Sequence, residues 1–256
     1  MTPRNRLRSI LTIAYMNGIV PMRTQPLFLV NTVVSPLSFL FFVYVASKGL
    51  LLPYAVSGGL ILTMLSIGTS VQTDMTHYRV DLKLQDLVVA SPVEGPVYIA
   101  GLALSELFYS IPGVTLLAVL WVGTAGPFTL LGAVTLFVVL MMVWAFASAL
   151  GFTLATYFAD VRETFLLSSL TSLVLTVLPP VYYPVSYIHG SLLHNLAFIA
   201  PTTDAADLVR STGSFGNLAG YAPPSTGQLE IDWTVLILAT VGLLLLAAFK
   251  ARWREP

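Results

Sequence analysis

The sequence predicts an all-α polytopic membrane protein, built as a single transmembrane domain over residues 1–256. The chain is 56% hydrophobic and only 9% charged, with a mean hydropathy of +0.85, whereas soluble domains carry about 25% charged residues. Its apolar runs are long and continuous, without the period-two alternation of membrane-spanning strands. Lipid is therefore the expected solvent for most of the chain, and a large soluble enzyme is disfavoured.

Six apolar segments are long enough to cross a bilayer, which requires about 20 residues in a helix. Their approximate bounds are 27–46, 52–71, 97–122, 129–158, 165–185 and 233–249. The fourth is longer than a bilayer requires, so we expect it to tilt or to extend past the interface.

The distribution of Lys and Arg predicts that both termini lie in the cytoplasm. With six spans in this orientation, two basic residues, Lys48 and Arg210, lie outside and ten lie inside. The ten are Arg4, Arg6, Arg8, Arg23, Arg79, Lys83, Arg162, Lys250, Arg252 and Arg254. A missed or extra span would place the C-terminal basic cluster outside, so the charges favour six spans.

Residues 4–18 have the pattern of an amphipathic helix lying in the cytoplasmic interface. Its apolar face carries Leu7, Ile10, Leu11, Ala14 and Tyr15. Its arginines would lie near anionic lipid headgroups. The alternative is an unstructured basic tail that only sets the topology.

The largest external segment, about 186–232, is predicted to contain two short helices, "SLLHNLAFIAP" and "TTDAADLVR". Thr202 or Thr203 would cap the second helix, with Asp204 in its first turn. A loop rich in Gly, Pro and Ser follows.

Pro179, Pro180 and Pro184 predict that the fifth span breaks near the outer face, because proline cannot sustain helical hydrogen bonding. They would form an outer gate or hinge, or would only terminate the span.

The cytoplasmic segment 72–96 contains a second predicted helix. Val80, Leu84, Leu87 and Val88 share one face, and Leu82 and Val89 lie roughly opposite, with Gln85 and Asp86 to either side. Two apolar faces fit a helix held between its own membrane domain and another protein. A simple interfacial helix with two incidental apolar residues is equally compatible.

Glu106 lies inside the third span, where a carboxyl group is a candidate functional residue. It would line a substrate path, or it would be a hydrogen-bonded structural residue. Among the other candidates, His189 and His194 are five residues apart and do not share a helix face, so neither a metal site nor a catalytic site is predicted. Ser191 and the serines of "LLSSLTSL" lack the motif of a nucleophile.

Several classes of function are disfavoured by features that are missing from the sequence. The chain has no Cys, which excludes thiolate chemistry. It has no phosphate-binding loop, and its zero net charge gives no indication of a nucleic-acid partner.

Three stretches together resemble the permease subunits of ABC transporters of the type-2 exporter class. The first is "LKLQDLVVASPVEGPVYIAG", which is similar to the cytoplasmic loop of that family. The second is "LPPVYYPVSYIHGSLLHNLAFIAPTTDAADLVR", which is similar to the segment after its fifth span, and the third is "FADVRET". The first departs from the family pattern in having no glycine ahead of the leucines.

This resemblance implies a multi-pass protein of the cell membrane that dimerises with a second permease and docks on a separate ABC ATP-binding subunit. The chain itself would be a transport subunit, not an enzyme, and would hold no cofactor, since ATP and Mg would bind to the partner. The implied coupling residues are Leu82, Gln85, Asp86 and Val89 in the first loop, and Asp160, Arg162 and Glu163 in the second. The interfacial helix, with Arg4, Arg8 and Leu11, would lie at the cytoplasmic gate.

Two other classes remain as alternatives. An ion-coupled secondary transporter or channel would use Glu106 for the coupling ion, although no internal repeat is evident. An intramembrane serine protease is disfavoured by the missing motifs.

Overall fold

A computed structural model describes residues 3–24, 26–81, 93–158, 160–188, 190, 197–215 and 222–250. These residues form α-helices and connections, without a strand among them. The helices are α1 (Pro3–Ala14), α2 (Val20–Thr24), α3 (Pro26–Ser47), α4 (Leu52–Val80), α5 (Gly95–Ala125), α6 (Leu130–Ala155), α7 (Val161–Val177), α8 (Pro201–Ser211) and α9 (Thr226–Lys250). A π-helical turn, Tyr15–Ile19, joins α1 to α2, and a short 3₁₀ turn spans Val185–Tyr187.

Four helices in the described part of the chain are long and apolar enough to cross a membrane: α4, α5, α6 and α9. This agrees with the predicted all-α class and is compatible with an integral membrane protein. Helix α3 contains a shorter apolar stretch, Thr32–Ser47, and α7 has 17 residues. The number of six spans therefore stays a prediction, as does the orientation of the termini.

Helix α4 is the centre of the bundle, since 83% of its most apolar window is buried inside the protein. It packs on α5, α6 and α7. Small residues bring α4 and α6 together: a Cβ atom added at Gly68 would overlap the Cβ of Ala147, and one at Gly151 would lie 3.1 Å from the Thr69 carbonyl oxygen. Such close approach is typical of helices that pack inside a membrane.

Helix α7 contacts α4 through hydroxyl side chains. Its buried residues are Thr164, Ser168, Ser172 and Thr176, and the hydroxyls of Ser172 and Thr69 are 2.7 Å apart. The predicted span 165–185 is too long, because α7 ends at Val177. Pro179 and Pro180 follow directly and have no backbone N–H to continue the helix.

Helix α8 confirms a helix in "TTDAADLVR" but corrects its cap. The N-cap is Ala200, and Pro201 occupies the first turn. Instead of capping, Thr202 donates to the Leu175 carbonyl oxygen at 2.6 Å and Thr203 donates to that of Ala197. Asp204 lies in the first turn, as predicted. Residues 191–196 of the other predicted external helix lie outside the described residues.

Candidate functional site

Two ends of the bundle carry the polar contacts. We call the end formed by residues 3–19, 77–81, 93–98, 155–158 and 160–163 the basal face. The opposite end, formed by residues 48–54, 178–188, 197–215 and 222–232, is the distal face. The described residues of the predicted cytoplasmic loops lie on the basal face, and those of the predicted external segments lie on the distal face.

The N-terminal segment packs closely on α5 at the basal face. A Cβ atom added at Gly101 would lie 2.7 Å from the Cβ of Ile13, and one at Gly18 would lie 2.9 Å from the Ser105 carbonyl oxygen. Gly18 belongs to the π-helical turn, and such turns often occur at functional sites. The absence of side chains at these two positions lets the segment lie directly against the backbone of α5.

The apolar face predicted for residues 4–18 is divided in the structure. Ala14 is buried, whereas Leu7 is 60% exposed, Leu11 52% and Tyr15 47%. Arg4 and Arg8 are also exposed. One flank of the helix therefore packs on α5, and the other presents apolar and basic side chains to the surroundings.

An ion pair joins α1 to the residue that precedes α5. Arg6 donates from Nη2 to Glu94 Oε1 at 2.9 Å, and both side chains are exposed. The hydrogen bond from Arg6 lowers the pKa of the Glu94 carboxyl below its usual value. Glu94 is also the N-cap residue of α5. The contact thus connects α1 to the start of α5.

Arg79 joins the end of α4 to α6. Its guanidinium donates to the carbonyl oxygens of Ala155, at 3.0 Å, and Phe158. One turn along α4, His77 Nδ1 lies 2.7 Å from Asp81 Oδ2. The basal end of α4 is therefore tied to the basal end of α6.

The predicted coupling residues fall in two groups. Leu82, Gln85, Asp86 and Val89 lie outside the described residues. Asp160 caps α7, accepting from the Arg162 N–H at 2.7 Å, and Glu163 lies in the first turn. All three residues of this second group are exposed on the basal face.

Glu106 is buried between α4 and α5 and has a carboxyl partner. It is 5% exposed and accepts a hydrogen bond from Ser70 Oγ at 2.5 Å, and the carboxyl group of Asp74, one turn further along α4, lies close enough to interact with it. Two carboxyl groups can hydrogen bond to each other only if one of them carries a proton. The helix bundle therefore contains two neighbouring carboxyl groups.

Tyrosines connect this carboxyl pair to the N-terminal segment. Tyr78 lies one turn from Asp74, and Tyr109 lies one turn from Glu106. Tyr78 donates to Asn17 Oδ1 at 3.2 Å, and Tyr109 donates to the Asn17 carbonyl oxygen at 2.9 Å. Asn17 lies in the π-helical turn, so that turn is anchored beside the buried carboxyl groups.

On the distal face, Arg210 holds the segment that contains the prolines. Its side chain is 2% exposed. Nη2 donates to the carbonyl oxygens of Pro180 at 2.9 Å and Val181 at 2.7 Å. The guanidinium also lies 3.3 Å from Asp207 Oδ1 and 4.8 Å from the centre of the Tyr54 ring.

The three predicted prolines occupy different positions in this segment. The Pro179 carbonyl oxygen accepts from the Val181 N–H at 2.7 Å, and the Pro180 carbonyl oxygen is held by Arg210. Pro184 precedes the 3₁₀ turn Val185–Tyr187. A Cβ atom added at Gly58 would lie 2.7 Å from the Val181 carbonyl oxygen, so the segment also rests closely on α4. The structure places these prolines at the distal end of α7, where the sequence put a gate, a hinge or a stop.

No arrangement for catalysis was predicted. Within the described residues, no group of three or more His, Cys, Asp or Glu side chains could hold a metal ion. His189, Ser191 and His194 lie outside the described residues.

Two residues of these sites were missed from the sequence. Asp74 falls in the predicted cytoplasmic segment 72–96, because the predicted second span ends near residue 71, whereas α4 continues to Val80. The spacing of Ser70, Asp74 and Tyr78 by four residues was the available signal. Arg210 falls in a predicted external helix, and its position in "DLVR" does not indicate burial.

Comparison with protein-family models gives no match, and comparison with curated proteins gives none either.

Proposed function

We propose that the chain is the membrane-spanning permease subunit of an ATP-driven ABC exporter of the type-2 class. In this proposal it resides in the cell membrane with six spans and both termini in the cytoplasm, and forms the translocation path as a dimer with a second permease. A separate ATP-binding subunit, which holds ATP and Mg, docks on the basal face. The three sequence motifs given above support this assignment.

The network of contacts on the basal face is the observation that carries the proposal. Residues 82–92 connect α4 to α5, and a charged residue stands near each end of this connection. Arg79 contacts carbonyl oxygens at the end of α6, and Glu94 contacts α1. A force applied by a partner to residues 82–92 would therefore reach four helices.

The energy for transport would come from the partner's preference for one arrangement of this network. ATP shifts a conformational equilibrium only if it favours one state over the other. Since Asp160, Arg162 and Glu163 lie beside the same network, they offer a second contact surface for that partner. The dimer of permeases would then open and close as the basal contacts rearrange.

The chemistry of the distal face supports an apolar or amphipathic substrate. A groove of about 670 Å³ lies at the distal end of α7, lined by residues that include Val174, Leu178, Tyr183, Tyr187 and Ile199. Charged side chains are few within the spanning helices. The two features together suit a molecule with a large apolar part.

Co-purification of the full-length chain with its candidate ATP-binding subunit tests the proposal. We expect the wild type to retain the ATPase and the double variant Leu82→Asp, Val89→Asp to lose it while still inserted in the membrane. Leu50→Asp is the matched control, because Leu50 is an exposed leucine, 70% accessible, on the distal face. Loss of the ATPase in the control, or its absence from the wild type, would contradict the proposal.

A second candidate function is an ion-coupled carrier or channel, which the neighbouring carboxyl groups of Asp74 and Glu106 favour. Carboxyl groups inside a membrane often belong to proton or ion pathways. Reconstituted protein would then transport with an imposed proton gradient and no ATP, and Glu106→Gln would abolish that transport. Transport that requires ATP and survives Glu106→Gln would instead support the exporter.

A further inference from the structure

Two buried carboxyl groups meet between α8 and α9 on the distal face. Asp204 is 2% exposed and Asp232 is fully buried, and the two carboxyl groups lie close enough to interact directly. Gln228 donates from Nε2 to Asp232 Oδ1 at 2.7 Å. The Oδ2 atoms of both aspartates are buried without a protein donor. Since an ionised carboxylate cannot donate, a proton on one of the two groups would supply a donor for the other.

The charged groups around the pair favour its protonated form over the doubly ionised form. The negative charge of Asp207, on α8, acts on both aspartates. The cation of α8, Arg210, contacts Asp207, two carbonyl oxygens and the Tyr54 ring of α4. Helix α9 adds Glu230, which is exposed, and α6 contributes no titratable side chain. A doubly ionised pair would therefore place two like charges together in a buried site.

We propose that Asp204 and Asp232 form a proton-operated latch between α8 and α9. With the shared proton in place, the two carboxyl groups hold the helices together. When the proton leaves, the carboxylates repel each other and the contact opens. The latch concerns the distal face alone and does not depend on an ATP-binding partner.

Opening the latch would act on more than α8 itself. Thr202 of α8 holds the Leu175 carbonyl oxygen at the end of α7, and Arg210 holds Pro180 and Val181. Releasing α8 from α9 would thus allow the segment that contains the prolines to move. The latch consequently controls the distal end of the groove beside α7.

The direction of the pH dependence follows from the state of Asp204. Burial, followed by the negative charge of Asp232, raises the pKa of Asp204 to about 7 from its ordinary value of 3.8. A carboxyl group with a raised pKa in the closed state keeps a proton that the open state releases, so the closed state is favoured below that pKa. The latch is closed below about pH 7 and opens as the pH rises through that value.

The absence of cysteine makes a direct distance measurement possible. Spin labels would be placed on cysteines introduced at Ser211 and Thr226, which are exposed on α8 and α9. Pulsed electron resonance on the full-length chain in lipid nanodiscs would give the distance distribution at about pH 5.5 and about pH 8.5, on either side of the expected midpoint. We expect a single distribution at the lower pH and an additional longer distance at the higher pH.

Asp204→Asn and Asp232→Asn, which remain neutral, should keep the short distance at both pH values. Glu230→Gln is the matched control, since it removes an exposed carboxyl group of the same helix and should leave the wild-type response unchanged. A wild-type distribution that does not change with pH would overturn the latch. If both asparagine variants showed the same pH-dependent change in distance as the wild type, the latch would be overturned as well.

Discussion

The basal and distal faces each use one arginine to tie a connecting segment to the bundle, but the two arginines lie in different surroundings. Arg79, on the basal face, is only partly buried and donates to two carbonyl oxygens. Arg210, on the distal face, is 2% exposed and adds Asp207 and the Tyr54 ring to its two carbonyl oxygens. The neighbouring Arg6–Glu94 pair on the basal face is exposed as well.

This difference separates a face that can rearrange from one that is fixed. An exposed ion pair can part and be solvated at little cost. A buried charge cannot leave its partners without being stranded in a medium of low polarity. The contacts of the basal face can thus rearrange at a lower cost than those of the distal face.

The largest effect is expected from Arg210→Met, which would remove the buried contacts that fix the distal face. It leaves Asp207 and two buried carbonyl oxygens without their donor, so the free energy of unfolding should fall by about 3–5 kcal/mol. Unfolding by SDS titration measures this. Arg162→Met removes an exposed arginine from the basal face and should change the stability by less than about 0.5 kcal/mol. Similar losses in the two variants would remove the distinction between the faces.

A smaller effect is expected from Gly101→Ala, which tests how the N-terminal segment is held on the basal face. The added methyl group would meet Ile13 at 2.7 Å, and overpacking of this kind costs about 1–3 kcal/mol. Hydrogen exchange of the amides in residues 3–19 should become faster. Gly123→Ala is the matched control on the same helix, because its Cβ would have no neighbour within 4 Å. Unchanged exchange in Gly101→Ala would show that the close contact is not required.

A weaker contact lies between the two faces, where Thr69 and Ser172 join α4 to α7. A double-mutant cycle with Thr69→Val and Ser172→Ala should give a coupling of about 0.6 kcal/mol, the average for hydrogen bonds between membrane helices. Ser169→Ala should show no coupling to Thr69→Val, because Ser169 is exposed and bonds within its own helix. Equal coupling for both serines would contradict the assignment of this contact.

The smallest effect is expected from Arg6→Gln and Glu94→Gln on the basal face. Both side chains face solvent, so the melting temperature should not change measurably and should depend little on salt. A marked drop in melting temperature at low salt would mean that the basal face is fixed more firmly than its exposure indicates.

Helix positions were readable from the sequence because they depend on local composition. The predicted segments 97–122 and 129–158 overlap α5 and α6 closely, and the prolines after α7 were recognised as a break. The end of α7 was placed too late, since apolar composition continued to residue 185 while helical hydrogen bonding stopped at Val177.

The carboxyl pairs could not be predicted, because they depend on the register between helices. Glu106 was recognised alone, and neither Asp74 nor the Asp204–Asp232 contact was found. Each pair joins residues that are at least 28 positions apart, 204 to 232 being the shorter separation. Periodicity within one helix carries no information about which residue of another helix will face it.

The central position of α4 has a consequence for the sequence changes that the protein tolerates. Only 17% of the most apolar window of α9 is buried, against 83% for α4. Lipid distinguishes poorly between leucine, isoleucine, valine and phenylalanine, so the outer positions of α9 can drift among them. Most positions of α4 contact protein neighbours that limit the size of the side chain, as at Gly58 and Gly68. Related chains should therefore keep the hydropathy of α9 but the actual side-chain sizes of α4.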